Sequence, residues 1–280
     1  MKKNVRIQIA DPSGNVTIFV LDPFPRSQYA EIGRQLLDDE KLGGEQVGFI
    51  TGKRSLEMCG LEFCGNASRA FACCMAKAEN IDHPAEMQIR VSGAEEPLNV
   101  YIDPAQNFAR TQMPRPRRIL TVENSGIFGL DGSRIIDLGG IMHLVTDRLC
   151  PSREQFDEIR AYVMEEWHPA AMGVMFLESA EDGCSAGSES DGVCHLSMTP
   201  YVYVADVDST YAEGSCASGS EAAAAALSAG KTDGTYRYEL TQPAGVITAS
   251  CTVRNGQTAG CEIEGSVTCG EIQEYTLELS

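Results

Sequence analysis

Long apolar runs are missing from this 280-residue chain. No stretch approaches the roughly 20 apolar residues that a membrane-spanning helix needs, so no membrane partner is expected. The amino-terminal MKKNVRIQIA alternates charged and apolar residues and lacks the apolar core of a secretory signal, which points to the cytoplasm. Positive charge is scarce as well. Lys and Arg number 22 against 40 Asp and Glu, a formal charge of -18 that repels phosphate backbones and anionic membrane surfaces. Nucleic acid is therefore not expected as a partner, and the acidity reads as a solvated surface. Also absent are a G-x-G-x-x-G after a strand-like run, a C-x-x-C pair and any paired-histidine spacing. Without these, neither a nicotinamide-type cofactor nor a metal is expected.

What is present suits a packed globular protein. Apolar residues make up 43% of the chain, and its length is comfortable for two domains with separate cores. Eleven cysteines in a chain without a secretory signal read as mostly reduced thiols, most of them small buried apolar residues.

The same features recur in the same order in both halves. IQIADPSGNVTIFVLD is two apolar runs broken by a Pro-Ser-Gly-Asn turn, and RIIDLGGIMHLVTD repeats the form around Gly139 and Gly140. A helical stretch follows each, SQYAEIGRQLLDDEK and SREQFDEIRAYVMEEW, and then a short strand with an internal glycine, EQVGFITG and AAMGVMFLE. Next comes a cysteine opening a helix of small residues, CGNASRAFACCMAKAE and CASGSEAAAAALSAG. A glycine between two strand-like runs, Gly93 or Gly245, stands 29 residues after each cysteine. This order predicts an internal duplication. The first half is expected over 1–117 with a returning strand at 268–280, and the second over 118–267. Pro114 and Pro116 mark the connection. The acidic, Ser/Gly-rich segment 178–199, with Cys184 and Cys194, reads as a surface loop or irregular hairpin.

Two helix-opening cysteines permit a demanding reaction. Removing the α-proton of an amino acid without an electron sink leaves an unstabilised carbanion, and inverting the centre needs a base on one face and an acid on the other. Cys64 and Cys216, one per half, supply both. Amides at a helix N-terminus favour a thiolate, and they also bind a carboxylate and the charge that develops on it.

At these residues the sequence resembles the diaminopimelate epimerase superfamily. The resemblance rests on PSGN at 12–15, EQVGF at 45–49, LEFCGNA at 61–67, SCASG at 215–219 and QPAG at 242–245. Within that superfamily the strings are most similar to those of the histidine racemases, including the histidine epimerase of opine-metallophore synthesis. The resemblance implies an α+β fold of two pseudo-symmetric domains, each a curled, mostly antiparallel sheet around a central helix. It implies cofactor-independent racemisation with Cys64 and Cys216 as the acid/base pair. Gly65, Asn66, Ala217, Ser218 and Gly219 would cradle the substrate carboxylate, and Asn15 and Gln46 would line the pocket. Glu213 would meet the substrate ammonium, with a capping or surface glutamate as the equal alternative. The partner is then a small amino acid, and a homodimer is compatible with the reading.

The departures narrow the substrate. Diaminopimelate epimerases carry a Glu-Arg pair before the second cysteine, whereas here Gly214 follows Glu213 and no arginine occurs from Gly183 to Ala229. A second carboxylate would lose its clamp, so histidine is the first choice, with diaminopimelate or another amino acid as alternatives. His143 reads as a satisfied core histidine outside the site. A non-catalytic amino-acid-binding or thiol/metal-storage protein on the same fold is the reading of another class.

Overall fold

The computed structural model describes residues 2–179 and 192–279. The chain divides into two compact units, Met1–Gln112 with Glu264–Ser280, and Met113–Ile263. Most of the segment expected as a loop at 178–199, including Cys184, lies outside the described residues.

In the first unit β1 (Lys2–Asp11) and β2 (Thr17–Val20) are antiparallel, with Ile7 opposite Val20 and Ala10 opposite Thr17. The turn between them uses left-handed backbone at Ser13 and Gly14. Helix α1 (Tyr29–Leu37) forms because Tyr29, Ile32, Gly33 and Leu36 recur at helical spacing and bury one face. Strand β3 (Gln46–Gly52) then runs parallel to β2, and β4 (Ser55–Met58) antiparallel to β3. After α2 (Gly65–Ala78), β5 (Ala85–Val91) lies parallel to β4 and antiparallel to β6 (Leu98–Asp103), which pairs with β7 (Phe108–Met113). Strand β5 shows the period of two: Met87, Ile89 and Val91 are buried, while Glu86, Gln88 and Arg90 face water.

The second unit repeats this order of pairings. Strands β8 (Arg118–Thr121), β9 (Arg134–Asp137) and β10 (Met142–Thr146) are successive antiparallel neighbours. Helix α3 (Arg153–Trp167) is capped by Ser152, whose Oγ accepts from the Gln155 amide at 3.1 Å, and it buries Phe156, Ile159 and Val163. Strand β11 (Ala171–Ser179) is parallel to β10, and β12 (Val193–Val204) is antiparallel to β11. Strand β13 (Ser209–Ala212) folds back on β12 ahead of α4 (Ala217–Ser228). Strand β14 (Gly234–Thr241) is parallel to β12, and β15 (Val246–Arg254) antiparallel to β14. After β16 (Gln257–Ser266), β17 (Thr268–Glu278) pairs antiparallel with β1 in the first unit.

Helices α2 and α4 differ from α1 and α3 in being buried on nearly every side. Helix α2 packs against β1, β2, β5, β6 and β17, and α4 against β9, β10, β11, β14 and β15. Their alanines let strands approach closely. Phe71 supplies bulk in α2 and is fully buried, a contribution of about 2–3 kcal/mol. Among the described residues, Cys59, Cys64, Cys73, Cys74, Cys150, Cys216, Cys251, Cys261 and Cys269 are free thiols, and Cys194 is disulfide-bonded. None of the described helices is long and apolar enough to cross a membrane.

Candidate active site

The same helix cap is built twice. Cys64 has extended backbone (φ -134°, ψ 114°), and its Sγ accepts from the Ala67 amide at 3.4 Å. Cys216 (φ -107°, ψ 111°) accepts from the Gly219 amide at 3.3 Å. Sulfur thus takes the place that serine or aspartate oxygen fills at most helix starts. In each helix a serine four residues on donates to the cysteine carbonyl, Ser68 Oγ to Cys64 O and Ser220 Oγ to Cys216 O, both at 2.7 Å.

Around Cys64 the partners are polar. Gln46 Oε1 accepts from Cys64 Sγ at 3.1 Å, and its Nε2 donates to Asn15 Oδ1 (2.7 Å) and Thr17 Oγ1 (2.8 Å). Asn66 Nδ2 donates to the same Asn15 oxygen at 3.2 Å, while Asn15 Nδ2 donates to Glu45 Oε2 at 2.7 Å. Arg69, which the sequence reading did not single out, donates to Asn66 Oδ1 at 2.8 Å from a fully buried position. Burial pushes the guanidinium down to about 10, so it remains a cation at neutral pH. Asn15, Gln46, Cys64 and Asn66 therefore meet in one network, with Thr17 and Arg69 as further members.

Around Cys216 the surroundings are tighter. Burial pushes its thiol well above the ordinary range; the charge of Glu213 and a hydrogen bond to that carboxylate act the same way. The Ser218 hydroxyl and the Gly219 amide pull in the opposite direction. The thiolate expected at a helix N-terminus is thus outweighed here by desolvation. Glu213 is half-buried and hydrogen-bonds the Cys216 thiol. A Cβ at position 219 would press on Met175 Sδ and Cys216 Sγ, so a larger residue there requires these side chains to move. The Cys216 amide donates to Gln242 Oε1 at 2.7 Å, and Gln242 Nε2 donates to Ser220 Oγ at 3.0 Å.

His143 is buried in β10, as expected of a core histidine; its Nε2 lies 2.9 Å from Ser218 Oγ, which stands 3.7 Å from Cys216 Sγ, and its Nδ1 has no partner among the described residues. Three signals in the sequence marked the missed residues: a serine four residues after each cysteine, a lone arginine in a run of small residues, and Gln242 within QPAG. Among the described residues no group of three or more His, Cys, Asp and Glu is arranged to hold a metal ion.

Residues 5–271 match the family model of the histidine racemase CntK N-terminal domain. A histidine racemase of Fusobacterium nucleatum subsp. nucleatum is 31% identical over 237 residues, covering 78% of this chain and 80% of that protein. One from Staphylococcus aureus is 25% identical over 248 residues, covering 85% of each. Among solved structures, a probable proline racemase from Agrobacterium radiobacter K84 superposes with a TM-score of 0.61 at 11% identity, covering 96% of this chain and 92% of that one. That likeness establishes a two-domain epimerase-like fold built on mixed sheet with few helices. The chain belongs to the histidine racemase family and is an isomerase of the racemase type.

Proposed function

We propose that this protein interconverts L- and D-histidine without a cofactor, using Cys64 and Cys216 as a two-base pair. One thiolate takes the α-proton, and the other thiol delivers a proton to the opposite face of Cα. For the other enantiomer the roles exchange. The electron pair left at Cα passes into the substrate carboxylate, held by the amides around Gly65, Asn66, Ala217, Ser218 and Gly219. Asn15 and Gln46 hold Cys64 in place, and Glu213 receives the substrate ammonium. Cytoplasmic surroundings would keep both thiols reduced.

The observation that carries this reading is the cap itself: two cysteines, each with its sulfur on the third amide of a buried helix and its carbonyl held by a serine. One helix-start cysteine is usually packing; the same construction in both halves is chemistry-bearing symmetry. The matching order of strand pairings supports a duplicated pair of domains, 1–117 with 268–280 and 118–267, each a curled sheet around its central helix as in diaminopimelate epimerases. Histidine is favoured because relatives spanning most of the chain are histidine racemases, and because the stretch before Cys216 lacks the arginine that a second substrate carboxylate requires.

A panel of L-amino acids incubated in D₂O with the enzyme, scored for Cα deuterium and for chirality, tests the reading. Histidine is expected to exchange and racemise. Exchange with another amino acid and none with histidine would correct the substrate, and exchange with none would overturn catalysis altogether.

A further inference from the structure

Each of the two central helices carries one charged residue type in its buried interior, at the same distance from the cap. Arg69 stands five residues after Cys64, and Glu221 five residues after Cys216. Both are buried, at 0% and 1% exposure. Neither is well satisfied: Arg69 Nε and Nη1 and Glu221 Oε1 have no hydrogen-bond partner among the described residues. Side chains this poorly paired weaken a core that apolar residues would fill better.

The two groups respond to burial differently. A carboxyl group sheds its charge by keeping its proton, and burial pushes Glu221 well up, with Cys251 adding to the shift. A guanidinium cannot do so at neutral pH. The groups that face Arg69 electrostatically are Cys73, Cys64 and Glu264. Burial pushes the Cys73 thiol up to about 12, leaving it neutral. Glu264 is the acidic neighbour, and Cys64 is the remaining thiol that faces the guanidinium. Around Cys216 the charged neighbour has the opposite sign, Glu213, while His143 reaches that thiol only through Ser218 and is neutral.

We propose that Arg69 is a positioning residue for proton transfer: joined to Cys64 through Asn66, Asn15 and Gln46, with Glu213 and, among the described residues, no cation beside Cys216, it makes Cys64 the thiolate and Cys216 the thiol of the resting enzyme. This rests on the reading of the two cysteines as an acid/base pair. The Gln46 carbonyl opposes it by accepting from Cys64 Sγ. A single neutral acceptor weighs less than a full charge in a poorly solvated interior. The free enzyme is then poised for the enantiomer whose α-hydrogen meets Cys64, and must redistribute a proton before it accepts the other.

Alkylation by iodoacetamide follows the thiolate fraction. Its rate against pH, read separately on the Cys64 and Cys216 peptides by mass spectrometry, reports each ionisation in the intact protein. In the wild type the Cys64 inflection is expected below that of Cys216. Arg69→Met is expected to move the Cys64 inflection upward by about one pH unit or more, so that alkylation below the inflection slows about tenfold; Cys216 should be unaffected. A folded Arg69→Met protein with an unchanged Cys64 profile overturns the assignment. If Arg69→Met does not fold, the wild-type order alone decides, since Cys216 ionising first is incompatible with the proposal. The readout needs no turnover. Failure of the acid/base reading itself would appear instead as racemisation by Cys64→Ser or Cys216→Ser.

Discussion

Replacing His143 by glutamine should remove a specific part of the acid sensitivity of this fold. The imidazole is fully buried, with Nε2 2.9 Å from Ser218 Oγ and Nδ1 without a partner among the described residues. Burial pushes its pKa from 6.5 down to about 3. Because the folded value lies below the unfolded one, the unfolded chain takes up the extra proton as the pH falls. The neutral buried imidazole therefore contributes its full stability above about pH 6.5, and that contribution is lost as the pH falls toward 3. One unit corresponds to about 1.4 kcal/mol, so roughly 2 kcal/mol should vanish between pH 7 and pH 5. Glutamine keeps a polar group toward Ser218 but cannot titrate. Urea unfolding followed by circular dichroism at pH 7, 6 and 5, on wild type and His143→Gln, isolates the effect, since carboxylates common to both cancel in the difference. Wild type should lose about 2 kcal/mol more than the variant over this range. Equal losses would refute a buried neutral imidazole.

In the proposed mechanism Cys64→Ser and Cys216→Ser should each lower racemisation by at least about 100-fold, while deuterium wash-in without inversion survives for one enantiomer in one variant and for the other enantiomer in the second. A single variant that racemises at the wild-type rate would contradict the two-base pair. Glu221→Gln should stabilise the fold by on the order of 1 kcal/mol near pH 8. The raised folded value of Glu221 makes its contribution full below the ordinary carboxylate range and progressively lost as the pH rises, so the advantage of the variant should grow with pH; a constant gap would count against a protonated buried carboxyl.

The elements were legible where one period dominates. The one-sided burial of Tyr29, Ile32 and Leu36 in α1, and the alternation of Met87, Ile89 and Val91 in β5, follow directly from spacing. The order of landmarks around Cys64 and Cys216 was equally visible. Direction and depth were not. The burial of Arg69 in a helix of small residues becomes visible only once the strands around α2 are in place. His143 reads as core because a period of two gives the face of a strand but not its neighbour, and that neighbour is Ser218. The surroundings of Cys216 show the same limit. The helix N-terminus is local and readable, whereas the burial that outweighs it depends on β10, β11 and β14 closing around α4.

The contrast between the two caps meets a thermodynamic limit. Enantiomers of an amino acid with one stereocentre have equal free energies in water, so a racemase must have the same kcat/KM in both directions, however differently its two halves are built. A cation near Cys64 and a carboxylate near Cys216 cannot shift that equilibrium. They can change only how the barrier is divided among binding, proton abstraction and return of the enzyme to its starting protonation state. If the halves were electrostatically alike, kcat and KM would each match for the two enantiomers. With unlike halves, any preference must appear as kcat and KM differing in the same ratio. A buried arginine near Cys64 and Glu213 beside Cys216 thus bear on the protonation cycle of the enzyme, and the isotope that tracks each proton is the probe suited to seeing it.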